Sequence, residues 1–173
     1  RVLSGTFSAL ERMNDPLSAA GVGPTHSKVY YLVQDIERGA FPEVVRGSYY
    51  VENWVVGAPY QYVQFVIIAL GADNFPESPN NWQIRYPLAG IHSEPFEIGN
   101  AKFKFINTAQ PVQSQWVPFE IHVADDFEEL WGMVPEGYES LRLLFEVRWD
   151  QKQAGTGAPR ADVYWDDLYA GPE

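Results

Sequence analysis

The chain has 173 residues, with 12 Lys and Arg against 23 Asp and Glu, a formal net charge of −11, and no cysteine. This length suffices to bury one core without staples, and the missing thiols exclude disulfides, thiolate nucleophiles, zinc knuckles and iron–sulfur clusters. The negative field repels phosphate backbones and anionic lipid, which argues against nucleic acid, and no apolar run is long enough for membrane insertion.

Taken in chain order, Val2 to Phe7 is a weak strand, followed by a loop from Glu11 to Thr25 with little period. Residues 1–28 thus form a leading strand and loop ahead of the first firm strand, Lys28 to Asp35. Val44 to Val56 is long and β-rich, with Gly47 expected at a bulge. Tyr60 to Leu70 is apolar on both faces toward its end, as in a central strand covered on both sides. Weaker and stronger strands follow at Trp82 to Pro87 and Phe96 to Ile106. In Trp116 to Val123, the residues Val117, Phe119, Ile121 and Val123 point one way, and Pro118 marks an edge or bulge. Asp125 to Trp131 is the one helical stretch, with Asp125 expected as N-cap. Leu141 to Trp149 alternates cleanly, so one face of that strand is buried. Ala161 to Ala170 closes the chain. Turn clusters at 57–59, 74–81, 108–115 and 151–159 separate these segments. Eight or nine strands with little helix predict one all-β sandwich domain of two antiparallel sheets spanning 1–173.

The closing run Ala161-Asp162-Val163-Tyr164-Trp165-Asp166-Asp167-Leu168-Tyr169 resembles the last strand of jelly-roll carbohydrate-binding modules. There, an apolar or aromatic run is followed by Asp-Asp and then alternating apolar residues. Gly47-Ser48-Tyr49-Tyr50-Val51 with Trp54, and Gln115-Trp116-Val117-Pro118-Phe119, are similar to earlier elements of the same superfamily. The resemblance implies a jelly-roll fold, an extracellular setting and a structural calcium ion on Asp166 and Asp167. Calcium takes about six to eight oxygens, so further carboxylates such as Glu11, Asp35 or Glu37 would have to join. The opening strand lacks the Asn and acid often seen there in such modules.

The 6 Trp, 10 Tyr and 10 Phe exceed what a core of this size needs, and surplus rings tend to sit where a face meets solvent or ligand. Sugars offer C–H patches to such rings and hydroxyls to planar polar groups. Tyr50 and Trp54 are therefore expected to stack on a glycan, while Glu52, Gln64, His122, Glu146 and Arg148 line the polar side of a concave sheet. The leading function is non-catalytic binding of a polysaccharide or other glycan. Two other readings stand beside it. Residues 1–7 could leave as a strand and complete the sheet of a second copy, making a self-assembling extracellular subunit. Glu120 and Glu146 could instead form a glycosidase pair about 5 to 9.5 Å apart, or His122, Arg148 and Gln64 a lyase site.

Overall fold

The computed structural model describes residues 1–14, 27–75, 81–153 and 156–173. Nine strands and one helix follow in order: β1 (Ala9–Asn14), β2 (Ser27–Glu37), β3 (Val44–Val55), β4 (Tyr60–Leu70), β5 (Asn81–Ala89), β6 (Ala101–Phe103), β7 (Trp116–Ile121), α1 (Val123–Trp131), β8 (Ser140–Asp150) and β9 (Arg160–Gly171). They form two sheets, here sheet A in the order β1-β9-β3-β7 and sheet B in the order β2-β8-β4-β5-β6. Every pairing is antiparallel except β5 with the short β6. With β6 set aside, first pairs with last, second with second-last and third with third-last around the β4–β5 hairpin, which is the nested pairing of a jelly roll.

Period decides the layers. Tyr49 and Val51 of β3, Phe119 and Ile121 of β7, and Val163 and Trp165 of β9 point inward from sheet A. Val63, Phe65 and Ile67 of β4, with Leu141, Leu143, Phe145, Val147 and Trp149 of β8, meet them from sheet B. Rings fill the middle: Phe65 lies 5.3 Å from Phe145, which lies 5.2 Å from Trp165. Burying one such side chain is worth about 1.5–3 kcal/mol, so this inward set supplies the cohesion.

Several expectations hold. Pro118 lies on β7, an edge strand of sheet A, and β4 is central and buried along most of its length. Gly47 lies at a bulge, where β3 and β9 lose register between Arg46 and Ser48 and the extra residue belongs to β9, opposite Gly47.

Other expectations need correction. The first strand is Ala9–Asn14, not Val2 to Phe7, and it takes up the start of the predicted loop. The reason lies in its inward residues, Ala9, Glu11 and Met13: a buried Glu disguises the alternation. Residues 15–26 of that loop, 76–80 of the turn cluster and 154–155 lie outside the described residues. The strand predicted at Phe96 to Ile106 shrinks to three residues; Lys104 and Ile106 go on bonding to the β5 backbone, and the stretch around Phe96 crosses the outer face of sheet B. Helix α1 starts at Val123, and its N-cap is His122, which makes no side-chain cap bond.

Candidate functional site

The predicted ligand residues fall on opposite faces of the sandwich. Gln64, Glu146 and Arg148 come together on the outer face of sheet B, where Gln64 is opposite Glu146 in register and Arg148 opposite Tyr62. Gln64 donates from Nε2 to Glu146 Oε2. Arg148 forks onto Asp150 at 2.8 and 2.7 Å, and Tyr62 donates its hydroxyl to the same carboxylate at 2.8 Å. Arg85, 3.9 Å from Glu146, and Arg148 both lie against the ring of Phe96, at 5.4 and 4.6 Å. The backbone of Lys104 and Ile106 bonds to Arg85 and Pro87, tying this crossing segment to β5. Gln64 is 0% exposed and Glu146 3%. Burial pushes the Tyr62 hydroxyl well above its ordinary pKa. These side chains hold the crossing segment to the sheet, with Gln64 and Glu146 closed to solvent and Arg148 half-buried, a closure no local pattern announces.

Tyr50 and Glu52 lie on the outer face of sheet A, where Tyr50 is buried beneath Arg1, Glu52 is half-buried, and the rings on either side of Tyr50 reach solvent. One residue per strand forms a row across it: Leu10 of β1, Tyr164 of β9, Tyr50 of β3 and Trp116 of β7. The Tyr50 ring lies 5.5 Å from Trp116 and 5.9 Å from Tyr164. Tyr164 and Trp116 are half-buried, so each shows part of a face to water. Beside the row, Tyr164 donates to Glu52 at 2.9 Å. Burial and then this carboxylate raise the Tyr164 hydroxyl above its usual pKa, so it stays a donor at neutral pH.

A hollow flanks the row on each side. At the end where β1 and β3 finish and β9 begins, a cleft of about 290 Å³ is lined by Arg12, Asn14, Asn53, Arg160 and Asp162 among others. Asp162 organises it, accepting Arg12 Nε and Asn53 Nδ2, each at 2.8 Å. Asn53 stands at φ 56°, in the left-handed region, where β3 and β9 slip register between Glu52 and Val55. That slip turns the amide onto Asp162 and opens the strand pair. Strain of this kind concentrates at functional sites. On the other side, a depression of about 410 Å³ lies among Arg46, Ser48, Pro118, Glu120 and Asp167. Hollow, ring row and hollow make one groove along sheet A.

Trp54 is adjacent to this groove but engaged elsewhere, donating Nε1 to Gln110 at 3.0 Å while its backbone N–H reaches Gln113. His122 is exposed at the start of α1, 3.7 Å from Glu120, away from the ring row. Sequence reasoning missed Arg12, Asn53, Asp162 and Tyr164. The signal for two of them was present: Asp162, Tyr164 and Asp166 alternate with inward Val163 and Trp165.

Three of the four carboxylate oxygens of Asp166 and Asp167 already accept hydrogen bonds. Asp166 Oδ2 accepts the N–H groups of Leu3 and Ser4 at 2.9 and 3.3 Å, and Oδ1 that of Asp167 at 2.8 Å. Burial pushes this carboxyl upward, but the three N–H groups outweigh it and hold it below the usual range. Ser4 Oγ donates to Asp167. Glu11 is turned into the core and Asp35 is paired with Arg142, and the described residues contain no group of three His, Asp or Glu fit to hold a metal. The donor set fits an anchor for residues 1–4, and nothing is routed through a metal here.

Glu120 and Glu146 point outward from opposite sheets, separated by the whole sandwich, which is wider than any glycosidase pair. The lyase set is split in the same way.

No family model matches the chain, and no curated protein does. Among solved structures, that of TmCBM61 in complex with β-1,4-galactotriose is similar at 12% sequence identity and a TM-score of 0.43, over 99% of this chain and 74% of that one. At that level of likeness, only this chain's own residues speak to what it binds.

Proposed function

We propose that this domain is a non-catalytic glycan-binding module whose ligand lies along the outer face of sheet A. The observation that carries the reading is the ring row itself: Tyr164 and Trp116, each partly exposed, flank the buried Tyr50 between two hollows, with Arg12, Asn53, Asp162 and Glu52 beside them. A sugar ring stacks its C–H face on Tyr164 or Trp116, and its hydroxyls meet planar donors and acceptors in the cleft. The cleft is near the lower bound of ligand pockets, about 300 Å³, which suits one sugar residue of a longer chain. An acidic protein of net charge −11 favours a neutral polysaccharide over an anionic one. We place its work outside the cell, where such polymers are found. No described helix is long and apolar enough to cross a membrane.

The test is affinity electrophoresis against a panel of neutral polysaccharides, followed by calorimetry on the best ligand. Tyr164→Ala and Trp116→Ala each weaken binding about tenfold, the loss of a stacking contact of about 1–1.5 kcal/mol. Gln64→Ala, on the closed face, leaves affinity unchanged while lowering the melting temperature. Wild-type affinity in a folded Tyr164→Ala protein would remove the groove as the site.

A further inference from the structure

Residues 1–8 lie across the groove just described. Arg1 donates from Nε to the Tyr50 hydroxyl at 3.1 Å, stands 3.3 Å from Glu52, and sets its guanidinium 5.6 Å from the Tyr50 ring centre. Leu3 and Ser4 are pinned to Asp166, and Ser8 Oγ donates to the Arg1 carbonyl. The segment therefore covers the middle ring of the row and its carboxylate. Its apolar side chains are poorly buried there: Val2 and Leu3 are only partly covered, and Phe7 is 85% exposed.

A second seat exists nearby. Strand β1 pairs only with Arg160–Trp165 of β9, so among the described residues no strand covers the same edge of β9 from Asp166 to Gly171. Between that edge and β2 runs a slot of about 270 Å³, lined by Gln34, Ile36, Leu143, Phe145, Leu168 and Tyr169 along with Ala170. Leu168 and Tyr169 are exposed beside it. The inward residues of β1 are Met13, Glu11 and Ala9, so an extended continuation would send Phe7 inward next. Its register would carry Phe7 past Trp165 to the level of Asp167 and Leu168, beside Phe145 and Gln34, which is where the slot lies.

We infer that residues 1–8 form a strap with two seats. In one it lies over Tyr50 and Glu52; in the other it prolongs β1 along the free edge of β9 with Phe7 in the slot, and the groove is uncovered. The second seat gains a buried ring and strand hydrogen bonds, and it gives up the Arg1 contacts and the Asp166 anchor. Ligand binding across the whole groove pulls the strap toward the slot, because only the extended form also frees Tyr50 and Glu52. This regulation rests on the glycan reading, but the second seat does not.

The chain has no cysteine, so a Phe7→Cys, Ile36→Cys pair is a clean trap. Under mild oxidation the double variant is expected to form an intramolecular disulfide, read by mass and by reducing and non-reducing electrophoresis. The oxidised protein then binds the groove's polysaccharide several-fold more tightly than its reduced form. Absence of the disulfide, or a disulfide formed only between two molecules when the single variants are mixed, overturns the second seat. A disulfide with unchanged affinity for a polysaccharide that does bind removes the regulation. A disulfide in a protein that binds no polysaccharide in either form leaves the two seats standing and removes the glycan reading instead. A triple variant, Thr6→Cys with Phe7→Ser and Ile36→Cys, controls for proximity: Thr6 faces outward in the extended strand, and an equal yield there would overturn the register.

Discussion

Glu11 is the residue on which the two sheets meet. Its carboxylate accepts Leu32 N–H at 3.1 Å, Val147 N–H at 2.9 Å and Trp165 Nε1–H at 3.1 Å, joining β1 and β9 of one sheet to β2 and β8 of the other. Burial outweighs those three donors and pushes the carboxyl from 4.5 to about 9. In the unfolded chain it ionises near its ordinary value. Between these limits the unfolded state releases the proton first, so the group's contribution to stability falls as pH rises from about 4.5 to about 9 and is flat outside that window. The steepest slope is about 1.4 kcal/mol per pH unit. Urea unfolding at pH 5, 6, 7 and 8 is expected to show this decline in the wild type and a flatter profile in Glu11→Gln; equal slopes would mean that the buried carboxyl ionises normally. Asp166 behaves oppositely, charged and saturated with N–H donors. The protein's melting temperature is expected to be the same in calcium and in chelator, while Asp166→Asn speeds amide exchange at Leu3 and Ser4. A calcium-dependent rise that Asp166→Asn abolishes would instead place a calcium ion on Asp166.

Among the elements, β9 carries the most function for its length. Its inward residues close the core, its outward residues build the groove, and its bulge faces Gly47. A Cβ on Gly47 would lie 2.6 Å from Leu168 Cδ2 and 3.2 Å from the Phe119 ring. Gly47→Val is therefore expected to cost about 1–3 kcal/mol by overpacking, measured by urea unfolding, and a neutral effect would show that Leu168 swings aside freely. The strands with clean alternation, such as Leu141 to Trp149, could be read because their inward positions are all apolar. β1 could not, since a buried Glu stands where the pattern wants a hydrocarbon and Leu10 points out. For the site, Tyr50 and Glu52 were legible as outward residues of a ring-rich strand. Gln64, Glu146 and Arg148 were also legible as outward, but a polar residue under a crossing segment and one facing water have the same period. Which sheet each strand joins, and what crosses it, depends on contacts between residues far apart in the chain. The cleft residues Arg12, Asn53 and Asp162 come from three strands and meet only through such contacts.

At the scale of the whole molecule, the two outer faces of the sandwich are covered unequally. Sheet B is covered by Phe96 over the paired charges of β4, β5 and β8 while Tyr31 and Val33 of β2 stay exposed, and sheet A presents the groove. The same topology puts β9 between β1 and β3 in sheet A. Synthesis proceeds in the other order: β1 and β3 emerge early and have no contact through β9 until residues 160–171 have been made. A nascent chain ending before Arg160 thus holds two unjoined strands and an open core, and sheet A cannot close until β9 has been made. Closure must follow synthesis of the full strand, and its loop entropy is spent before the long-range pairs form, which places refolding in the slow millisecond-to-second regime of β-sandwiches. During that interval the edges of β1 and β3 are the ones open to other chains, so a crowded ribosome or an early stop exposes this protein to aggregation at the strands that later frame its groove.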